Sequence, residues 1–500
     1  MLFKPRLVDF KIIGFYSGKL TIGIGLLMLL PMALSLSLRE WSPALDFVLG
    51  VSASLILGYV LLLSCRTNRE MSWVHGVVVV PIAWLVAMVL GAIPLYLSGH
   101  FVSFLDAMFD TMSGLATTGL ALVQDLDHLS YGHNFWRHLT MFIGGQGIVV
   151  ITITLMTGGA SGLYGMYVGE AREEKILPNL IQTARFIWLV SLVYLCVGSA
   201  LLWLVGWQIG MSPARALFHG VTNFMAAFDT GGFSPQSQSI LYYHSFAYEF
   251  ALIPLMIAGA LNFSLHFVLF SGERRELFRN TETRMLAATI ALTFLITAVG
   301  LAQIGAYVDS MAIFRRGFFQ VISAHTGTGF MTVYGPQFSG LWGTLAIVGV
   351  TFAMGLGASA GSTAGGIKSL RVRLILKAFV LETKSLILPR SAVLVETYHH
   401  LKKNIVNERL LLNAFLVGLA YIFTYIAGAV AGVFFGYPFQ EALFESVSAA
   451  ANVGLTAGIT LPSMPDALKV VYMIQMWAGR LEFLSVMALV GFIISAVKGK

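Results

Sequence analysis

Stretches of about twenty apolar residues recur from end to end of this 500-residue chain, and no other feature restricts its fold as strongly. A helix needs roughly 20 apolar residues, at about 1.5 Å each, to cross some 30 Å of hydrocarbon, where no water is present to satisfy an open backbone. Ten such segments are read near 17–37, 45–65, 74–97, 135–157, 184–209, 245–270, 283–306, 341–364, 409–435 and 468–496. With 57% hydrophobic and 11% charged residues, too little charge remains for a water-soluble protein, and no stretch is left for a sizeable soluble domain.

The first apolar run, Thr21 to Leu36, follows Lys4, Arg6, Lys11 and Lys19 in the manner of a signal peptide. It lacks a small-residue cleavage site before the next run and is read as a retained helix. Cys65 and Cys196 form neither a disulfide framework nor a metal site. The formal charge of +7 is not a nucleic-acid signal here, because most Lys and Arg residues fall on one side of the predicted spans. They cluster at the N-terminus, Arg66/Arg69, Arg172 to Arg185, Arg274 to Arg284, Lys368 to Arg409 and Lys498/Lys500. The positive-inside rule makes that side, and both termini, cytoplasmic.

Four linkers on the opposite side repeat. They read AMFDTMSGLATTGLAL from Ala107, ALFHGVTNFMAAFDTGGFS from Ala216, GFFQVISAHTGTGFMT from Gly317 and ALFESVSAAANVGLTAG from Ala442. Phe109, Phe319 and Phe444 each precede a glycine (Gly119, Gly329, Gly454) by ten residues, whereas Phe218 lies fourteen before Gly232, as if four residues were inserted. Each linker begins with about three turns of apolar helix, too short to span a bilayer, so it must dip in and return. Irregular backbone at that depth is tolerated only inside protein or along a water-filled cavity, which is what a pore loop provides.

A cation that sheds its water needs a ring of oxygens, and backbone carbonyls supply them where the chain runs extended beside an axis. Glycine permits the backbone angles and leaves the axis open. The short helix ahead of each loop directs its partially negative carboxyl end toward the ion. One glycine among 51 is weak evidence, since membrane helices use glycine for packing. Four matched contexts at alternate loops are strong evidence for one pore conducting monovalent cations.

The sequence resembles the Trk/Ktr/HKT superfamily of potassium transporters, and within it the TrkH branch. The resemblance covers nearly the whole chain and is carried by TTGL at 117–120, TGGFS at 230–234, GTGF at 327–330, NVGL at 452–455, GASAGSTAGGIKSLR at 357–371 and GRLE at 479–482. It implies an all-α polytopic membrane protein with four helix–pore-loop–helix repeats around one pore, at 71–165, 166–278, 279–395 and 396–500, preceded by a two-helix extension at 1–70. It implies a potassium filter formed by Thr117, Thr118, Gly119, Thr230, Gly231, Gly232, Thr328, Gly329, Asn452, Val453 and Gly454, with Gly119, Gly232, Gly329 and Gly454 as the selecting glycines. Plant relatives that favour sodium carry serine at the first of these, so an intact ring implies potassium preference. It further implies a homodimer in the bacterial inner membrane and a TrkA-like, nucleotide-binding cytosolic regulatory subunit. No GxGxxG follows a strand here, so no organic cofactor is expected on this chain.

The run from Leu341 to Leu388 is far longer than a span and must break, and the small residues between Gly355 and Gly366 are where it is expected to unwind. Gly357, Ala358, Ser359, Gly361, Ser362 and Gly365 form the candidate gate, with Arg480 near mid-membrane as the guanidinium that holds it shut by bonding loop serines and carbonyls. Close helix packing by small residues, and a pairing of Arg480 with Glu482, are the structural alternatives. Asp106, Asp110, Glu441 and Glu445 either concentrate cations at the outer mouth or cap helices. His219, His325, His399 and His400 have no metal-ligand spacing and are expected to be structural or surface residues. A secondary transporter coupled to protons or sodium is the competing reading, although its breaks belong inside spanning helices. An enzyme would need a nucleophile with its base at membrane depth, and none is expected.

Overall fold

The structure, a computed structural model, describes residues 4–148, 150, 153, 160–172, 176, 177, 179–389 and 394–498. Most of 149–157, the second half of the expected fourth span, lies outside them, as does Lys500. Among the described residues the fold is helical apart from one antiparallel hairpin, Thr397–His400 with Lys402–Ile405. Leu7–Leu27, continued by Leu29–Ser37, and Trp41–Ser64 form the N-terminal pair. Small residues let them meet: a Cβ on Gly18 would stand 2.9 Å from the Gly58 carbonyl oxygen.

Four long helices follow at intervals, Trp73–Leu97, Leu180–Gln208, Thr281–Gln303 and Glu408–Phe434, each long and apolar enough to span. Each leads into a short helix: Phe104–Leu115, Pro213–Phe228, Ser310–His325 and Phe439–Ala450. The second and third of these have 16 residues and the others 12. All four end four residues before their glycine, so the extra turn is at the amino end and the second loop carries no insertion. Thr222, not Phe218, stands ten before Gly232 and is fully buried like Phe109 and Phe444.

The helix after each short helix breaks. The sequence led us to expect this only between Leu341 and Leu388. There Gly343–Gly355 does give way to an irregular segment before Ser369–Ile387. Tyr131–Gln146 also stops at Gly147, whose φ is +96°. Phe246–Ala260 turns by 104° into Phe263–Phe270, where the Asn262 side chain accepts the Ser264 N–H at 2.7 Å as a new N-cap. Asp466–Arg480 turns by 109° into Leu484–Lys498, through Glu482 and Phe483 in left-handed conformation. These breaks are tolerated because the residues at them, Gly147, Asn262 and Glu482 among them, are buried in protein.

Candidate ion-conduction site

The last carbonyls of a helix have no partner within it, and all four short helices satisfy them in the same way. The N–H groups of Thr118, Gly231, Thr328 and Val453 donate back to the carbonyls of Ser113, Ala226, Ser323 and Ser448 at 2.8, 2.8, 2.9 and 2.9 Å. This is a Schellman cap, and its left-handed residue is Thr117, Thr230, Gly327 or Asn452, with φ of 51°, 53°, 77° and 55°. Two residues on, Gly119, Gly232, Gly329 and Gly454 have φ of 96°, 71°, 81° and 92°. In an extended chain successive carbonyls alternate sides; alternating the sign of φ turns them to one side instead.

The four loops close a circuit. A Cβ on Gly119 would overlap the carbonyl of Gly231, one on Gly232 that of Thr328, one on Gly329 that of Val453, and one on Gly454 that of Thr118. Each glycine thus faces the residue preceding the next repeat's glycine, in chain order, with no room for a side chain. Gly231 is not the equivalent position, since a Cβ there would meet Met141. The Ser113 and Ser448 hydroxyls accept the N–H of Gly119 and Gly454 at 3.0 Å, and Asn452 Nδ2 donates to Thr118 Oγ1 at 3.1 Å, joining the first and fourth loops. Beyond the ring a cavity of about 150 Å3 opens, lined by the four glycines with Ser234, Thr456 and Thr460.

The irregular segment 356–368 lies against the other end of the ring. Its Ser359 and Thr363 N–H groups donate to Ala260 and Gly259 carbonyls at 3.1 and 3.3 Å, using acceptors exposed by the break in the second repeat. The Gly361 carbonyl accepts from Phe263 N–H, and Gly365 sits on Ala451 and Asn452 of the fourth repeat, with no space for a Cβ. Gly357 is pressed against Gly365 and Gly366; the Ala358 carbonyl accepts the Ser369 N–H at 2.9 Å; the Ser362 hydroxyl donates to the Ser359 carbonyl at 2.6 Å. Thr363 ties the segment to the first and second loops. Its hydroxyl reaches the carbonyls of Phe228 and Gly259 and lies 3.1 Å from the Thr230 hydroxyl.

Arg480 ends its helix beside this point and donates to the Thr363 carbonyl, to Thr117 Oγ1 at 3.2 Å, and to the carbonyls of Gly144 and Gly145 at 2.6 and 3.1 Å. One guanidinium therefore ties the segment, the first loop and the carboxyl end of the broken Tyr131–Gln146 helix. Among the described residues Arg480 makes no bond to Ser359 or Ser362, contrary to the expected serine partners; the Ser362 hydroxyl donates within its own segment. Glu482 does not pair with Arg480 but with Arg371, and lies 3.9 Å from Lys368.

The TrkH family model, described as a cation transport protein, matches residues 44–496. The chain belongs to this family. An uncharacterized cation transporter of Methanocaldococcus jannaschii is 31% identical over 466 residues, covering 93% of this chain and 92% of the relative. The Trk system potassium uptake protein TrkG of Escherichia coli is 28% identical, covering 92% and 94%. The crystal structure of the potassium transporter TrkH from Vibrio parahaemolyticus superposes with a TM-score of 0.82 at 26% identity, covering 96% of this chain and 98% of that one.

Several residues of this TrkH-family chain have roles that the sequence hid. Asp106 and Asp110 do not line the outer mouth as open carboxylates: both are fully buried, on Lys469 at 2.6 Å and on Arg137 at 2.7 Å, whose guanidinium also stacks 4.0 Å from the Phe233 ring. Glu445 is buried too, accepting the N–H groups of Ala457 and Thr460 at 2.9 and 2.8 Å, and so shapes the fourth loop. His399 and His400 are tied to Glu276 at 3.0 Å and Glu282 at 3.6 Å, and His219 meets the Tyr243 hydroxyl at 2.7 Å, so these histidines are structural, one of the two expected places for them. Among the described residues no cluster could hold a metal through His, Cys, Asp or Glu side chains. Residues 357–361 spell Gly-Ala-Ser-Ala-Gly, the spacing of a hydrolase nucleophile elbow. Here the serine follows a helix rather than a strand and lies within the irregular segment, and the family is one of transporters, not enzymes.

Proposed function

We propose that this chain takes up potassium by channel-like conduction through the ring of Gly119, Gly232, Gly329 and Gly454 and the carbonyls beside them. The closed circuit of four glycines carries this reading, because it keeps side chains out of the place where backbone oxygens meet and can replace an ion's water. The substrate is supported by the relatives named as potassium uptake proteins and by the potassium transporter of Vibrio parahaemolyticus. The units 71–165, 166–278, 279–395 and 396–500 surround the pore, and the extension 1–70 flanks the first.

In this reading 356–368 is the gate and Arg480 its latch. A fixed guanidinium beside the axis also repels a potassium ion, by about 2 kcal/mol at ~8 Å for an effective dielectric of ~20. Withdrawal of Ser369–Ile387 by a TrkA-like nucleotide-binding subunit docked on the basic face between Lys368 and Arg409 would open the segment, a two-state element biased from a distance. The same resemblance supports a homodimer in a bacterial inner membrane with both termini in the cytoplasm.

Coupled symport with protons or sodium is the second reading, and the break in all four second helices favours it, since transporters bind their ions at such breaks. Purified protein in liposomes separates the two. Channel-like conduction predicts rubidium uptake whose reversal potential follows the potassium gradient alone, and a reversal potential that moves with pH or sodium would contradict it.

A further inference from the structure

Outside the conduction path, a cavity of about 330 Å3 lies between the helices Thr281–Gln303 and Ser369–Ile387, with the hairpin as its roof. Arg284, Arg373, Lys377 and His399 bring positive charge or N–H donors to it, and Met285 and Ala288 supply an apolar wall. Two of the cations are already balanced. Lys377 pairs with Glu396 at 3.1 Å, which also takes Lys384, and His399 pairs with Glu276. The guanidinium groups are not. Arg284 spends its Nε on the Phe278 carbonyl at 2.7 Å, and Arg373 is exposed with no ion pair among the described residues. The cavity therefore presents two uncompensated guanidinium groups, the donors best suited to a phosphate.

The apolar wall continues out of the cavity. Met285 and Ala288 share a helix face with Leu292, Leu295 and Val299, spaced by three or four residues and 55%, 60% and 43% exposed for the last three. Leu376 and Val380 are exposed on the facing helix. Arg284 stands in the first turn of a 23-residue helix long enough to span, so the cavity is at headgroup depth and the apolar strip runs into the hydrocarbon. A soluble anion would use only the cavity; charge at one end of an apolar strip fits an amphiphile. We propose that this flank binds an anionic phospholipid, its phosphate between Arg284 and Arg373 and an acyl chain along Met285, Ala288 and Leu292.

Both helices hold the segment under the ring. Glu282 accepts the Ala360 N–H at 2.9 Å, one turn from Met285, and Ser369 donates to the Ala358 carbonyl at the start of the other helix. A lipid bridging the two stabilises the arrangement in which Thr363 lies against the ring, and so lowers basal flux. That consequence rests on the gate reading above; the binding does not.

The test is native mass spectrometry of the delipidated full chain offered phosphatidylglycerol or phosphatidylcholine. Retention of phosphatidylglycerol should exceed that of phosphatidylcholine, and Arg284→Gln with Arg373→Gln should weaken it roughly thirtyfold. Ala288→Trp, with every charge intact, should also displace the lipid, whereas Lys402→Gln with Lys403→Gln on the hairpin should not. Millimolar inorganic phosphate should leave the bound lipid in place. Equal retention of both lipids, retention that survives the arginine or the tryptophan substitutions, or displacement by inorganic phosphate would overturn the proposal. In phosphatidylglycerol liposomes the arginine pair should also raise rubidium flux; lost lipid with unchanged flux would leave the site standing and overturn the gate reading.

Discussion

A β-branched residue in left-handed conformation costs on the order of 1–2 kcal/mol, yet Thr117 and Thr230 both adopt it beside the ring, and Asn452 does so in the fourth repeat. The Schellman caps and the neighbouring loops impose it, and the hydroxyl gained at Thr117 is what Arg480 binds. The same logic of forced pairing applies to the buried ions around the loops. Arg137 and Asp110 are 1% and 0% exposed, so removing one leaves the other charged and dry. Arg137→Met should therefore destabilise the protein by about 3–5 kcal/mol, while Arg137→Met with Asp110→Leu should recover most of the loss, as read by thermal unfolding in detergent. The glycines were legible in the sequence because a ring of carbonyls demands the absence of a side chain, which a sequence states directly. Thr363 was not, because its main contribution to Arg480 is a backbone carbonyl that any residue possesses.

At the scale of elements, the breaks differ in how far the sequence announces them. The Gly-Ala-Ser run after Gly355 is visible as low helix preference, and Asn262 is a usable N-cap, although it stands inside an apolar run whose length alone suggests one continuous span. Glu482 and Phe483 carry no such signal; their turn exists because Arg371 and Lys368 hold Glu482 beside the segment that follows Gly355. The segment itself is fastened mostly by backbone bonds to Gly259, Ala260 and Phe263, and by Arg480. Shortening it by deleting residues 358–361, or replacing Arg480 by alanine, should raise basal rubidium flux without a partner, in the alanine variant by up to roughly thirtyfold if the 2 kcal/mol of repulsion is wholly relieved. Well-folded variants that conduct no faster than the parent would place the gate elsewhere.

For the whole molecule, four units that differ in sequence at nearly every position converge on one backbone geometry. The glycine spacing, the cap bonds, the contact from each loop to the next and a broken second helix are common to all four, while the form of each break, the segment 356–368 and the buried ion pairs are peculiar to single repeats. A shared geometry is what an ion on the axis requires, and the asymmetric parts are free to gate it. The most direct measurement is the bi-ionic potassium-to-sodium permeability ratio of the parent, Gly119→Ser and Gly329→Ser proteins in planar bilayers. A hydroxymethyl group at either position must push aside the Gly231 or Val453 carbonyl, so the ratio should fall by roughly tenfold or more, about 1.4 kcal/mol, in both variants. A ratio unchanged from the parent in both would contradict the ring as the selecting site.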